Sequence, residues 1–470
     1  MNESPCPAEN ARFVAMIVPL MMTEVVATLG LVMLFAALRQ LAVDLGSAAA
    51  AGWLVTAFIL SSAVGGALLG RVGDVVGRRR VLLAVLAAAV IGSLIGCFTR
   101  SAGPLILART LQGLAGASMP LCIGLVRERA PPALVPRGIG LISATASISA
   151  GLGLLVGGVI VDLFDWQAVF TVLAILSVLA LLGVWRLVAA DPPRGSTRIE
   201  DVVGGLLFAP GIVGLLLGIE EIGHSGMADP RNWLWIVVSL ALLAIWVWRE
   251  LTVAQPLISV RLLLVPQIAL ANLALVFAAL GAFQSGQMMA QFGQQPPSSG
   301  AGLGLSATGA AMLLTPINIA AGFIYARFAG LVARHGPRTM ALLGGLLMAA
   351  SFTGLVLVHG SVVVVEVWLA IQMVGLGMVF VTVPVVVVSA CPPERVSEAT
   401  GMIVVIRSTA MAIGAQVVAT LLSTPGAGTH ASEGTWRIVF AWGAITALAV
   451  AIVALRLPSR LQIEKAPDVP

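Results

Sequence analysis

The sequence predicts an all-α polytopic membrane protein of fourteen transmembrane helices, two six-helix bundles with a helix pair inserted between them. Three observations carry this. First, 59% of the 470 residues are hydrophobic and 10% are charged, with a mean hydropathy of +1.04. A soluble domain carries about 25% charged residues, so this chain lacks the polar surface that water requires. Second, apolar segments of the roughly 20 residues that cross a bilayer recur along the whole chain. Third, the basic residues favour alternate connections between those segments, the pattern of a cytoplasmic side.

The segments lie near 13–38, 50–70, 81–99, 103–126, 138–161, 167–188, 201–220, 232–249, 266–291, 305–328, 339–358, 362–390, 399–423 and 436–457. The pair 201–220 and 232–249 decides between twelve and fourteen spans. Residues 202–219 and 233–248 hold no charge, and each stretch is long enough to cross. With the N-terminus cytoplasmic, 20 of the 26 basic residues fall on the cytoplasmic side and 4 on the other (Arg39, Arg100, Arg231 and Arg437). One span fewer would invert every later connection and remove the asymmetry, so both termini are placed in the cytoplasm. The opening MNESPCPAEN has no basic residue before Arg12 and is not a cleavable signal peptide; the first span directs insertion. Residues 1–190 then form the first bundle, 191–261 a linker with the inserted pair, and 262–470 the second bundle with a short cytoplasmic tail.

Composition also excludes other classes. The pI of 9.7 does not indicate nucleic acid, because the charge sits in short connections between apolar segments. The four cysteines (Cys6, Cys97, Cys122, Cys391) have neither paired nor metal-ligand spacing and read as free thiols, and the four histidines fall in connections. No enzymatic constellation and no phosphate-binding G-x-x-x-x-G-K-[ST] appears. The expectation is a transporter without cofactor or metal, driven by an ion or substrate gradient, with protons fitting better than sodium.

In the first span, Glu24 falls near mid-membrane, where a carboxyl is able to bind and release a proton; the alternative is a permanently protonated group bonded to a neighbouring helix. Between the second and third spans, Gly70, Gly73 and Gly77 permit close backbone approach. There Asp74 can accept from Arg78 or face the positive end of a helix in the second bundle. Such a contact would form in one conformation and break in the other, whereas a solvated basic loop that fixes topology is the simpler account. In the fourth span Arg109, followed by Gln112 and Gly113, either meets a partner in the membrane or reaches toward the interface. In the fifth, Gly153, Gly157 and Gly158 form a face for tight helix packing; Asp162 and Asp165 beyond it read as loop charges. Glu366, about one turn into the twelfth span, is a second candidate for proton coupling, with solvation at the interface the alternative; Arg407, about two turns into the thirteenth, either joins that coupling or reaches toward the cytoplasmic interface as one more basic residue of that side. Gly330–Arg338 echoes the first-half loop, with Arg334 in the place of Asp74.

The stretch Gly70-Arg-Val-Gly-Asp74-Val-Val-Gly77-Arg78-Arg-Arg80 resembles the signature loop G-x-x-x-D-x-x-G-R-[RK]-[RK] of the major facilitator superfamily. The fourth span is similar to that superfamily's R-x-x-Q-G motif, linked there to proton coupling. Gly153–Gly158 resembles the antiporter motif G-P-x-x-G-G with Leu154 at the proline, and Arg407–Gly414 resembles a segment of the fourteen-span drug:proton antiporters with Ala410 at one glycine. The helix 1 aspartate of those exporters is absent; alignment puts Gly30 there, and Glu24 lies six residues earlier. The resemblance implies an inner-membrane exporter, a monomer, that moves small amphiphilic organic compounds or drugs against protons by rocking its two bundles. An exporter or importer of a single metabolite or lipid, and a non-transporting sensor or assembly partner, remain the alternatives.

Overall fold

The computed structural model describes residues 7–131, 134–191, 202–225, 230–253, 260–391, 396–422 and 431–460. Among them the chain is helical, with short 3-10 turns and no strand. The first half comprises α1 (Pro7–Asp44), α2 (Ala48–Val76), α3 (Arg78–Phe98), α4 (Ala102–Gly113), α5 (Ser118–Arg129), α6 (Val135–Leu163) and α7 (Gln167–Leu187). Next come α8 (Val202–Ser225) and α9 (Pro230–Thr252). The second half comprises α10 (Pro266–Leu280), α11 (Ser285–Gln294), α12 (Ala307–Met312), α13 (Thr315–His335), α14 (Pro337–Leu357), α15 (Val362–Ser389), α16 (Val396–Leu422) and α17 (Glu433–Ala454). By length and composition, 11 helical stretches are able to cross a membrane, and Ile148–Leu163, Leu207–Ile219 and Ala307–Ala321 are shorter apolar helical stretches.

Three apolar segments read as single spans contain helix breaks, each with a local cause. Between α4 and α5, Leu114–Ala117 tightens into a 3-10 turn where Gly113 and Gly116 press on Ser61, the Phe58 carbonyl and Ser62 of α2. Between α10 and α11, the break at Gly281 is bridged by the Gln284 side chain, which donates to the Ala279 carbonyl at 2.7 Å. Between α12 and α13, Pro316 at the start of α13 has no N–H for the preceding turn. The helices also run past the predicted spans: α1 begins at Pro7 and ends at Asp44, which places Glu24 near its middle.

The halves meet through α2 against α16, α6 against α12 and α13, and α1 against α11. The described side-chain contacts between them cluster at one end of the molecule, the end that carries Asp162. Thr56 on α2 donates to Gln416 on α16 at 3.2 Å, and a Cβ on Gly52 would stand 2.3 Å from Ala419. Arg39 donates to the Gln294 carbonyl, and Gln294 donates back to Ala36 at 3.0 Å. Below this end the second half is sealed by a cluster of Phe292, His359, Trp436 and Phe440, whose Trp436 Nε1 donates to Gln295 at 2.9 Å. His359 lies in the connection between α14 and α15, as expected, and is buried among these aromatic rings. The α8–α9 pair packs on itself and sets α8 across both α2 and α16. Its outer face exposes Trp233, Leu234, Val237 and Trp248, side chains that lipid solvates and water does not.

Candidate functional site

Glu24 is 5% exposed on α1 and accepts from Ser118 Oγ at 2.8 Å. Ser118 is the first residue of α5, so the break after Gly113 is what turns its hydroxyl toward α1. Cys122, one turn further on, lies with its Sγ 3.8 Å from the Leu20 carbonyl. The pair brings a carboxyl and a hydroxyl together inside the first half, and both groups are able to carry a proton through a hydrogen bond.

Arg109 stands in a separate network. It is fully buried and does not reach an interface. Its Nη1 donates to the Gly30 carbonyl at 2.6 Å and to Gln112 Oε1 at 2.8 Å, and its Nε donates to the Leu54 carbonyl at 3.1 Å. The guanidinium lies 4.3 Å from the Phe58 ring centroid. Gln112 in turn donates to Ser93 Oγ at 2.8 Å. Gly113 follows because α4 lies so close to α2 that a Cβ there would stand 2.4 Å from the Phe58 carbonyl. A cavity of about one water's size adjoins this network, bounded by Gly30, Phe58, Ser93, Gln112, Leu173 and Ser177. Gly30 therefore supplies its carbonyl to the buried arginine. Among the described residues Arg109 makes no ion pair with Glu24.

The glycine face of α6 is a three-helix junction. A Cβ on Gly157 would come within 2.7 Å of the Met33 carbonyl on α1, and one on Gly158 within 2.7 Å of the Ala307 carbonyl on α12. Gly153 faces Leu29 and Val32. Leu154, in place of the proline, is buried and α6 continues through it without interruption. One turn on, Asp162 corrects the reading of a loop charge. Its two oxygens accept from the backbone N–H groups of Ala307 at 2.9 Å and Thr308 at 2.7 Å, so it caps a helix of the other half. Asp165 pairs with Arg100 at 2.9 Å, an exposed contact within the first half.

At the opposite end, Arg78 donates to Glu128 Oε1 at 2.7 Å and to the Gly124 carbonyl at 3.1 Å. The side chain of Asp74 lies outside the described residues, so its place in a latch is not set by these contacts. Gly70 faces Pro120 and Gly73 faces Leu121 on α5. Gly77 adopts φ 120°, a conformation that favours glycine, and a Cβ there would stand 2.4 Å from Asp191 Oδ2. Asp191, just past α7, accepts from the N–H groups of Arg79 at 3.2 Å and Arg80 at 3.0 Å and pairs with Arg129 at 2.9 Å. It thereby caps α3 from across the half. Neither Glu128 nor Asp191 is marked by sequence spacing; the run Asp191-Pro-Pro signals a helix stop, and nothing in it names the partner.

In the second half, Arg407 lies with its guanidinium carbon 5.5 Å from the Phe380 centroid, and Phe380 meets Phe283 edge-on at 6.0 Å. Its Nε is buried without an acceptor. Glu366 is partly buried near the start of α15 and is not joined to the other predicted residues. In the echo loop, Arg338 donates to the Leu455 carbonyl at 2.7 Å, so it ties α14 to the end of α17.

A profile of the Major Facilitator Superfamily matches residues 20–333, and the chain belongs to that family. It is 26% identical over 371 residues to the tetracenomycin C resistance and export protein of Streptomyces glaucescens, covering 77% of this chain and 66% of that protein. It is also 26% identical over 417 residues to a multidrug resistance protein B homolog of Mycobacterium tuberculosis (strain ATCC 25618 / H37Rv), covering 86% and 75%. Among solved structures, the peptide transporter POT in complex with sulfate superposes with a TM-score of 0.68 at 16% identity, covering 94% of this chain and 93% of that one. The last likeness concerns the fold alone.

Proposed function

We propose that this chain is a fourteen-span proton antiporter of the inner membrane that exports amphiphilic organic compounds. Both termini are cytoplasmic, the monomer is the working unit, and the proton gradient serves in place of any bound cofactor. The observation that carries the reading is Glu24, a carboxyl buried at mid-helix that accepts from the Ser118 hydroxyl. An ionisable group held in a membrane domain beside a hydroxyl, with no cation paired to it among the described residues, suits a site that is loaded and emptied once per cycle. The names of the drug- and antibiotic-export relatives support the substrate class. The 11 long apolar helices, the three shorter ones and the 20-to-4 basic split support the span count.

In this topology the contacts clustered at Asp162 lie on the outer side, so the arrangement faces inward. Opening that side requires Asp162 to leave α12 and Gly158 to part from Ala307. Proton binding at Glu24 drives export only if proton and substrate bias the same conformational equilibrium in opposite senses. The relative named for tetracenomycin C favours a second reading on the same fold, export of one compound rather than many.

The test is uptake into inverted vesicles driven by a pH gradient, across a chemically diverse panel. Glu24→Gln keeps shape and hydrogen bonding and cannot titrate; it is expected to abolish uphill transport while substrate binding persists. Equal uphill transport by both proteins removes Glu24 from the mechanism, and absence of flux in the wild type sinks the transporter reading in favour of a sensor. Cysteine labelling is expected to find position 225 outside and position 195 inside.

A further inference from the structure

The two arginines inside the membrane differ in what they have left to offer. Arg109 spends its Nε and Nη1 on three acceptors of its own half, and its Nη2 alone is buried without one. Arg407 makes no hydrogen bond or ion pair among the described residues, and its Nε is buried with no acceptor at all. On α15, Glu366 is remote, about 21 Å from Phe380 along the helix at 1.5 Å per residue. The only partner described for the guanidinium is the Phe380 ring at 5.5 Å, itself edge-on to Phe283 at 6.0 Å. The side chains of Arg407, Phe380 and Phe283 are each partly buried.

An arginine in a membrane segment without internal compensation is stable only if something else supplies the counter-charge. The planar guanidinium favours one partner chemistry, two oxygens that share a negative charge, and its face and flanks favour aromatic rings. We infer that Arg407, with Phe380 and Phe283, is the recognition site for an amphiphilic organic anion, a carboxylate, sulfonate or phenolate attached to an aromatic body. This rests on the exporter reading above and names its substrate class. The same chemistry is offered by the headgroup of an anionic lipid, and the experiment separates the two.

The purified full chain is reconstituted in nanodiscs of phosphatidylcholine, and in others containing phosphatidylglycerol. Binding of fluorescein, an anionic aromatic probe, and of ethidium, a cationic one, is read by fluorescence anisotropy. In phosphatidylcholine the wild type is expected to prefer fluorescein. Arg407→Gln should lower the fluorescein-to-ethidium affinity ratio about tenfold or more, the scale of a charge-assisted hydrogen bond lost from a low-dielectric site. Arg407→Lys should recover part of it, because the charge returns without the planar fork. Retained ethidium binding reports that the variants are folded. An unchanged ratio in Arg407→Gln, or a wild type that does not bind fluorescein, overturns the inference. Fluorescein binding abolished by phosphatidylglycerol, together with no fluorescein flux in liposomes, overturns the substrate assignment in favour of a lipid headgroup. Anion binding that depends on Arg407 in a protein that moves nothing against a pH gradient leaves the inference standing and sinks the antiporter.

Discussion

The two halves of the molecule differ in how far their buried polar groups are joined to one another. In the first half most of them meet one another, Arg109 with Gly30, Leu54 and Gln112, Gln112 with Ser93, Glu24 with Ser118, although Arg109 Nη2, Gln40 Oε1 and Ser177 Oγ find no partner. In the second half several stop short. Asn272, Gln287 and Gln372 each donate through their amide nitrogen while the amide oxygen, buried, accepts nothing. Arg407 is the extreme case. A connected network resists rearrangement, because each member that moves leaves another unpaired in low dielectric. Unsatisfied groups carry no such restraint and are free to take partners from outside. The contrast teaches that similar motifs in the two halves do not imply similar jobs, and it assigns rigidity to the first half and adaptability to the second.

The largest expected effect tests the rigid side. Arg109→Gln cannot serve three acceptors at once and is expected to lower stability by about 3 kcal/mol or more. Arg407→Gln, which releases no internal partner, should change stability by less than about 1 kcal/mol. Thermal unfolding of both variants in one detergent reads the difference, and equal losses would break the comparison.

A smaller effect is expected where the halves touch. Asp162→Asn keeps one acceptor oxygen and loses the charge at the start of α12. It should weaken closure of that end by about 0.5–2 kcal/mol. Cysteines at positions 56 and 416, whose native side chains are in contact, should then cross-link more slowly in the Asp162→Asn background. An unchanged rate would show that glycine-mediated packing alone holds this end.

The smallest effect belongs to the signature loop. Arg78 and Glu128 are 23% and 29% exposed in their side chains, and water screens such a pair. Glu128→Gln is expected to cost only about 0.2–1 kcal/mol of stability. If transport falls severalfold while the unfolding temperature holds, the pair acts on the conformational equilibrium rather than on the fold.

Much of this was legible in the chain. The all-helical membrane class follows from composition, because too few charges exist to face water, and the family from a loop whose glycines and charges are fixed by spacing. The burial of Glu24 followed from its distance into an apolar helix. Partners did not follow, since spacing along a chain says nothing of what stands opposite. Whether Arg109 snorkels or pairs depended on α4 lying close enough to α2 for the Leu54 carbonyl to come within reach. That Gly30 on α1 presents its carbonyl to that arginine followed from no spacing in the chain. Asp162 reads as a loop charge until α12 of the other half arrives with two free N–H groups, and Asp191 reads as a linker residue until α3 begins beneath it. Sequence determines which groups must leave water, because transfer free energy belongs to the residue. Tertiary structure decides which of them find one another there, because a hydrogen bond requires two helices to be within about 3 Å at the same place.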